Sequence, residues 1–200
     1  MFRKITSIIG LLIPIIFVLN FALLFIFHPV SPKFLFELSF FGFNIEGVSH
    51  QAWFKYTNYL LIGLLIVIYS LGLIILNRSS LTNNLGAIFI LVSGFLWSSL
   101  SLFPLYPDLK NYMNRVIIIM YLILFLCFFG LLLISNDIYK VIRSKSIKFF
   151  LICTSIFILL ECIACIFIPN FPYLTPNLSI LVYVFSFAVV GFNLSKNTSH

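Results

Sequence analysis

Of the 200 residues in this chain, 62% are apolar and 8% are charged, whereas soluble proteins carry about 25% charged residues. This composition, with a mean hydropathy of +1.17, excludes a soluble globular domain and indicates a membrane protein. The net charge is +7, but the basic residues are not gathered in a soluble domain. We therefore expect them to contact membrane lipids, and we expect no nucleic-acid partner.

Six mostly apolar segments are each long enough to cross a hydrocarbon core of about 30 Å. They lie at about 5–27, 56–76, 84–103, 114–135, 147–168 and 174–194. The connections between them are short except the first, and none could form a second domain. The sequence therefore predicts an all-α, polytopic membrane protein: residues 1–200 form a single domain, a bundle of six transmembrane helices.

The first segment follows Arg3 and Lys4, as the apolar part of a signal peptide would. Its apolar run is longer than the ~7–15 residues typical of signal peptides, and no small-residue cleavage site follows it. We therefore expect this helix to stay in the mature chain.

The first outer connection, residues 28–55, is long and rich in aromatic residues. Its apolar stretch at 34–43 is too short to span a membrane and is interrupted by Glu37. We expect an interfacial segment across the outer mouth of the bundle, anchored by aromatic side chains at the level of the headgroups.

The basic residues are unevenly divided between the two faces of the predicted bundle. Four lie at the outer face, and eight lie at the face with both termini: Arg3, Lys4, Arg78, Lys140, Arg143, Lys145, Lys148 and Lys196. Four of these eight belong to an inner loop expected at 136–148. The positive-inside rule then places both termini in the cytoplasm and predicts a multi-pass protein of the inner (plasma) membrane.

The four cysteines all fall within predicted helices: Cys127, Cys153, Cys162 and Cys165. Inside the membrane they are not exposed to an oxidising compartment that would join them by disulfide bonds. Cys162 and Cys165 form a C-x-x-C motif, but it has no neighbouring metal ligand besides Glu161. We interpret the cysteines as packing residues and expect no metal or other cofactor.

Glu161 is the only acidic residue inside a predicted span, where a charge near the bilayer centre costs roughly 2.5–3.5 kcal/mol. Because the spans offer no Lys or Arg as a partner, we expect a neutral, protonated carboxyl. It would donate a hydrogen bond, for instance to Asn20, which lies at a similar depth on the first helix. An intramembrane acid of this kind indicates a functional site, although it also fits a residue that only joins helices.

Polar side chains of the third and sixth helices reach the same depth as Glu161. The sixth helix contributes Ser179, Tyr183 and Ser186. A stripe of small or hydroxylated residues is by itself typical of close helix packing. Together with the carboxyl it predicts a polar cavity in the outer half, with these ligand-binding residues: Glu161, Asn20, Ser98, Trp97 and Tyr183.

Three different short motifs lie in the first outer connection and at the outer end of the third helix: Glu37-Leu-Ser-Phe-Phe-Gly42, Ser49-His-Gln-Ala-Trp53 and Leu102-Phe-Pro104. Together they resemble the pattern of a prokaryotic six-helix membrane family, domain of unknown function 998. The residues that carry the resemblance are Glu37, Ser39, Gly42, Asn58, Gly63, Phe103, Pro104 and Asp108. It implies a prokaryotic six-helix membrane protein and no particular substrate, because the activity of that family is uncharacterised.

Three classes of function are compatible with these residues. The leading hypothesis is a protein that binds a lipid-like or small amphiphilic ligand in the outer-half cavity around Glu161. The second is a small proton-coupled transporter, a homodimer if six helices form half of its pathway. The third is a non-catalytic accessory or structural subunit. No paired carboxylate, His cluster, nucleophile motif or phosphate-binding loop indicates an enzyme.

Overall fold

The computed structural model describes residues 1–27, 52–102, 110–142, 144–167 and 175–196. In this part of the chain, six helices are long and apolar enough to cross a membrane. The prediction of an all-α protein with six transmembrane helices is thereby confirmed, and the chain is a multi-pass membrane protein. The predicted interfacial segment at 34–43 lies outside the described residues.

The six long helices are numbered in chain order. Their bounds are Phe2–Phe27 (α1), Ile62–Leu76 (α2), Leu81–Ser99 (α3), Lys110–Ile142 (α4), Lys145–Phe167 (α5) and Thr175–Lys196 (α6). Two of them have irregular outer ends. The helical turn Ala52–Phe54 and a π-helical segment, Lys55–Leu61, lead into α2, and a 3₁₀ turn, Leu100–Leu102, extends α3.

Helices that follow one another in the chain pack side by side, and α6 returns to α1, so the bundle is closed. In addition, α6 contacts α4, and two of its side chains contact α2 and α3. Tyr183 reaches Ser93 of α3, and the ring of Phe187 meets that of Tyr69 of α2. Thus α6 reaches across the interior, while α5 packs against α4 and α6.

The start of α1 and the end of α6 lie at the same end of the bundle. Nε of Arg3 donates a hydrogen bond to the carbonyl oxygen of Leu194 (3.1 Å), and the hydroxyl of Ser7 donates to that of Gly191 (2.7 Å). A cation at the last turn of α6 is favourable, because the final carbonyls of a helix lack intrahelical partners. We call this end of the bundle the inner end, and the opposite end the outer end.

Pairs of glycines bring three pairs of helices into close contact: Gly10 with Gly191, Gly63 with Gly94, and Gly86 with Gly130. The contact of α2 with α3 is especially tight. A Cβ atom at Gly63 would lie 2.6 Å from both the carbonyl oxygen of Gly94 and the backbone nitrogen of Ser98. The two backbones approach this closely because Gly63 has no side chain.

The inner connection between α4 and α5 is shorter than the loop expected at 136–148, since α4 continues to Ile142 and α5 begins at Lys145. A helix can continue beyond the hydrocarbon because its backbone hydrogen bonds are satisfied internally. Within this extension Asp137 is buried and accepts hydrogen bonds from Ser80 and Thr82. Because Ser80 is the N-cap residue of α3, Asp137 ties the end of α4 to the start of α3.

Candidate functional site

Glu161 lies in the outer half of α5 and meets α6 through its carboxyl group. The hydroxyl of Ser179 donates a hydrogen bond to Oε2 of Glu161. Oε1 is buried and has no hydrogen-bond partner among the described residues, and Glu161 as a whole is only 7% exposed. Leaving a buried polar atom unpaired costs about 1–3 kcal/mol, so this oxygen is a place where a further polar group would bind favourably.

One turn inward of Ser179, the side chain of Tyr183 crosses the interior of the bundle. Its hydroxyl lies 2.9 Å from that of Ser93 on α3. Since the Ser93 hydroxyl donates to the carbonyl oxygen of Ile90 (2.7 Å), Tyr183 is the donor of the pair. The ring of Tyr183 packs edge-on against that of Phe187, with 4.7 Å between centroids. The hydroxyl pair and these rings close the middle of the bundle.

The π-helical segment Lys55–Leu61 is held to α3 by side chains near the outer end of that helix. Nε1 of Trp97 donates to the carbonyl oxygen of Asn58 (2.8 Å), and the hydroxyl of Ser98 donates to that of Leu60 (3.4 Å). Short π-helical segments are rare and frequently occur at functional sites. Trp97 and Ser98, both predicted to bind a ligand, therefore have a defined structural role in positioning this segment.

Asn58 and Asn20 are buried polar residues with unpaired amide atoms. Asn58 is 0% exposed, and neither its Oδ1 nor its Nδ2 has a partner among the described residues. Asn20 is 4% exposed, and its Nδ2 likewise has none. The hydrogen bond suggested between Asn20 and Glu161 is thus not formed. Glu161 pairs with Ser179 instead, because α5 packs directly against α6.

These residues occupy one level of the outer half. Trp97 lies one turn outward of Ser93 on α3, and Ser179 lies one turn outward of Tyr183 on α6, which is about 6 Å in each case. Asn58 is bonded to Trp97, and Glu161 is bonded to Ser179.

Asn20 lies within about one turn of this depth. It precedes Phe21, whose ring is 5.8 Å from that of Phe54, one turn outward of Asn58. We call this set the outer polar layer: Asn20, Asn58, Trp97, Ser179 and Glu161.

An apolar groove of about 360 Å³ opens between the outer halves of α4 and α5. Leu122 and Phe125 of α4 line it and are exposed, so the groove faces the lipid. On α5 its walls include Ile158 and Cys162, the residue that follows Glu161. The groove therefore lies at the depth of the Glu161 carboxyl, on a neighbouring face of α5.

The inner half of the bundle differs from the outer half. Two of its buried polar side chains are paired within the bundle: Nδ2 of Asn83 donates to the carbonyl oxygen of Leu73 (3.2 Å), and Ser70 donates to that of Ile66 (2.8 Å). A void of about 10 Å³ between side chains such as Leu73, Ile90 and Ile138 has a largely apolar lining. A water molecule needs a polar site of at least about 10–15 Å³, so this small apolar void does not suit a water molecule.

The structure places all five predicted ligand-binding residues in the outer half but distributes them over separate contacts. Ligand binding by these residues stays a prediction. Sequence reasoning treated Asn58 only as part of a family-like motif and did not single out Ser93. The sequence does contain a sign that Asn58 matters: it is an amide in a strongly apolar span, where such a group needs a polar partner.

Of the family-like motif, Asn58 and Gly63 are among the described residues, and both face neighbouring helices or the interior. The other members lie outside the described residues: Glu37, Ser39, Gly42, Phe103, Pro104 and Asp108. Two of the four cysteines, Cys127 and Cys153, are free thiols. In the described part of the chain, no group of three or more His, Cys, Asp or Glu residues could hold a metal ion.

No family model, curated protein or solved structure matches this chain. The resemblance to domain of unknown function 998 therefore stays a prediction.

Proposed function

We propose that this protein binds a lipid-like or small amphiphilic ligand in its outer half, beside Glu161, and resides in the plasma membrane with both termini in the cytoplasm. The observation that carries the proposal is the position of the unpaired Oε1 of Glu161 at the depth of the apolar groove between α4 and α5. A hydrogen-bonding group and a lipid-facing apolar surface at one depth are what an amphiphile requires.

The groove alone would give such a ligand little preference over the surrounding lipid, because lipid tails are as apolar as the groove walls. Preference would come from the carboxyl group, since a hydrogen bond is electrostatically stronger in a low-dielectric interior than in water. A headgroup that donates hydrogen bonds, such as a hydroxyl or an ammonium group, fits the free Oε1 of Glu161.

The test is ligand-dependent thermal stability of the purified protein in detergent, with three ligands that share an 18-carbon chain: oleylamine, oleyl alcohol and methyl oleate. We expect the amine and the alcohol to raise the melting temperature of the wild type, and the ester, which has no donor, to leave it unchanged. In Glu161→Gln the stabilisation by the amine should be lost.

The matched control is Asp137→Asn, which neutralises the other buried acid of the described residues, at the inner end of the bundle. This variant should keep the ligand-induced shift. Equal stabilisation of the wild type and Glu161→Gln by all three compounds would refute the proposal.

A small proton-coupled transporter is the second candidate, and it is favoured by the hydroxyl groups that continue inward from Glu161. Ser179 contacts the carboxyl, and the hydroxyl pair of Tyr183 and Ser93 lies one turn further inward. This candidate predicts proton uptake into liposomes that Glu161→Gln abolishes while protein levels stay intact. An accessory subunit would instead show a silent Glu161→Gln variant and a partner protein that co-purifies in mild detergent.

A further inference from the structure

We propose that the π-helical segment Lys55–Leu61 is a register switch, which the indole of Trp97 holds in its π-helical form. In its other form the segment is α-helical, and the turn Ala52–Phe54 that precedes it is rotated relative to the rest of the second transmembrane helix. The inference goes beyond ligand binding at Glu161 and does not depend on it, because it concerns the contacts of this helix with α1 and α3.

The carbonyl oxygen of Asn58 has two competing donors. In an α-helix it would accept a hydrogen bond from the backbone N–H of Ile62, four residues later. In the observed form that N–H donates to the carbonyl oxygen of Tyr59. The carbonyl oxygen of Asn58 accepts from Nε1 of Trp97 on α3 instead (2.8 Å). The indole thus takes the place of an intrahelical donor, and its withdrawal would free this carbonyl for Ile62.

The side chain of Asn58 makes the observed form costly. The residue is 0% exposed, and neither Oδ1 nor Nδ2 has a hydrogen-bond partner among the described residues. Such an amide has lost its hydrogen bonds to water without gaining others, which is unfavourable. The i→i+5 bonding of a π-helix is also rare compared with that of an α-helix. Both features favour departure from the observed form.

A rotation of Asn58 away from the interior would give its amide polar partners. Asn58 is the third residue of the part of this helix that is long and apolar enough to span a membrane, Tyr56–Leu76. At 1.5 Å per residue it lies about 3 Å from the outer end of that span. A side chain at this level reaches the headgroup region, where water both donates and accepts hydrogen bonds.

Contacts with α3 and α1 oppose this rotation. Besides the Trp97 bond, the hydroxyl of Ser98 donates to the carbonyl oxygen of Leu60 (3.4 Å). Outward of the segment, the buried ring of Phe54 meets that of Phe21 on α1 edge-on, with 5.8 Å between centroids. These contacts are balanced against the unpaired amide and the π-helical geometry. Opposing contributions of this kind are what a bistable element requires.

The change of form has a defined geometric result. A π-helical turn contains one residue more than an α-helical turn, so removing the extra residue from the turn rotates everything outward of it by about 100°. Phe54 would thereby leave the ring of Phe21. The switch therefore couples the donor on α3, Trp97, to the contact between the second transmembrane helix and α1.

The first test is fluorine NMR of the full chain in lipid nanodiscs. Trp53 and Trp97 are the only tryptophans, so incorporation of fluorotryptophan gives two signals, which Trp97→Phe assigns. We expect both signals to exchange with a minor form of about 0.1–10%, because Trp53 lies in the rotating turn and Trp97 loses its acceptor. Relaxation dispersion and saturation transfer detect such exchange. Its absence at both positions would overturn the inference.

Two substitutions should shift the population of the minor form in opposite directions. Asn58→Leu removes the unpaired amide, so it should lower that population at least about fivefold. Ser98→Ala removes a bond to the segment and should raise it about two- to threefold. Ser99→Ala is the matched control, because its hydroxyl bonds to Leu96 within α3 (2.7 Å), and it should change nothing. An unchanged population in Asn58→Leu would contradict the proposed switch.

The second test is deletion of one residue. Deletion of Tyr56, an exposed residue of the segment, removes the extra residue and should leave only the α-helical form, with the chemical shifts of the minor form. Deletion of Ile68, which is similarly exposed in the regular part of α2, shifts a whole helix face and should lower the melting temperature far more. Equal losses in the two deletions would refute the switch. No ligand is involved, so this inference and the proposed function can fail separately.

Discussion

The hydroxyl of Ser179 donates a hydrogen bond to Oε2 of Glu161, and this bond joins α6 to α5 in the outer half of the bundle. The intramembrane acid is thereby paired with a residue of the next helix in the chain. Its second oxygen is left for a further polar group. The bond thus gives Glu161 a structural role that can be separated by mutation from the ligand binding that we propose for it.

Replacing Ser179 by alanine should destabilise the protein by about 1–3 kcal/mol, because it leaves the second oxygen of a buried carboxyl unpaired. Ser186→Ala is the matched control. Its hydroxyl is equally buried in α6 but bonds to the carbonyl oxygen of Tyr183 on the same helix (2.6 Å), so its loss should be nearly silent. Melting temperatures of both variants in detergent provide the measurement, and equal losses would contradict the importance of the α5–α6 bond.

Trp97→Phe should destabilise the protein by about 2–4 kcal/mol, because it removes the donor to the carbonyl oxygen of Asn58 and leaves a cavity in a fully buried position. Trp53, the other tryptophan, is only half-buried, so Trp53→Phe is the control and should cost less. Thermal unfolding followed by circular dichroism measures both. A Trp97→Phe variant as stable as Trp53→Phe would show that the π-helical segment does not depend on this bond.

Asp137→Ala should lower stability by about 1–3 kcal/mol, since Ser80 and Thr82 lose their common acceptor and the start of α3 loses a nearby negative charge. Asn136→Ala, at the exposed neighbouring position, should change stability little. Hydrogen exchange at the first turn of α3, measured by mass spectrometry, should increase in Asp137→Ala alone. Unchanged exchange there would argue against a connection between α4 and α3 through this residue.

Gly72→Ala and Gly63→Ala should both destabilise the protein, by about 1–3 kcal/mol, but only the first should be rescued by a second substitution. A Cβ at Gly72 meets side-chain atoms of Thr6, so adding Thr6→Ala should recover much of the loss. A Cβ at Gly63 meets the hydroxyl oxygen of Ser98, which Ser98→Ala removes, but it also lies 2.6 Å from backbone atoms of Gly94 and Ser98, which remain.

The measurement is a pair of double-mutant cycles from melting temperatures in detergent. The first cycle should show strong favourable coupling and the second little. Rescue in both cycles would mean that α2 and α3 can move apart at low cost.

The fold class followed directly from the lengths and hydropathy of six segments, and Glu161 was recognisable as a lone acid within one of them. The sequence predicts a span of 114–135 for α4, which is shorter than the observed helix, because Asn136 and Asp137 are typical of loops. In the fold, Asp137 belongs to a continuous helix and accepts hydrogen bonds from the hydroxyl groups of Ser80 and Thr82 at the start of α3. The π-helical segment was not foreseen, because it depends on Trp97 and Ser98 of α3 as donors to its carbonyl groups.

The sequence by itself determined how many helices cross the membrane, because each must be about 20 apolar residues long and must satisfy its own backbone hydrogen bonds, which is a local requirement. It also singled out Glu161, since an acid in an apolar run is costly wherever the helix packs. Only the tertiary structure decided that Glu161 pairs with Ser179 and not Asn20, and that neither amide atom of Asn58 has a partner among the described residues. Those outcomes depend on which helix faces meet, and in a bundle of uniformly apolar helices this is set by close packing at positions such as Gly63 and Gly94.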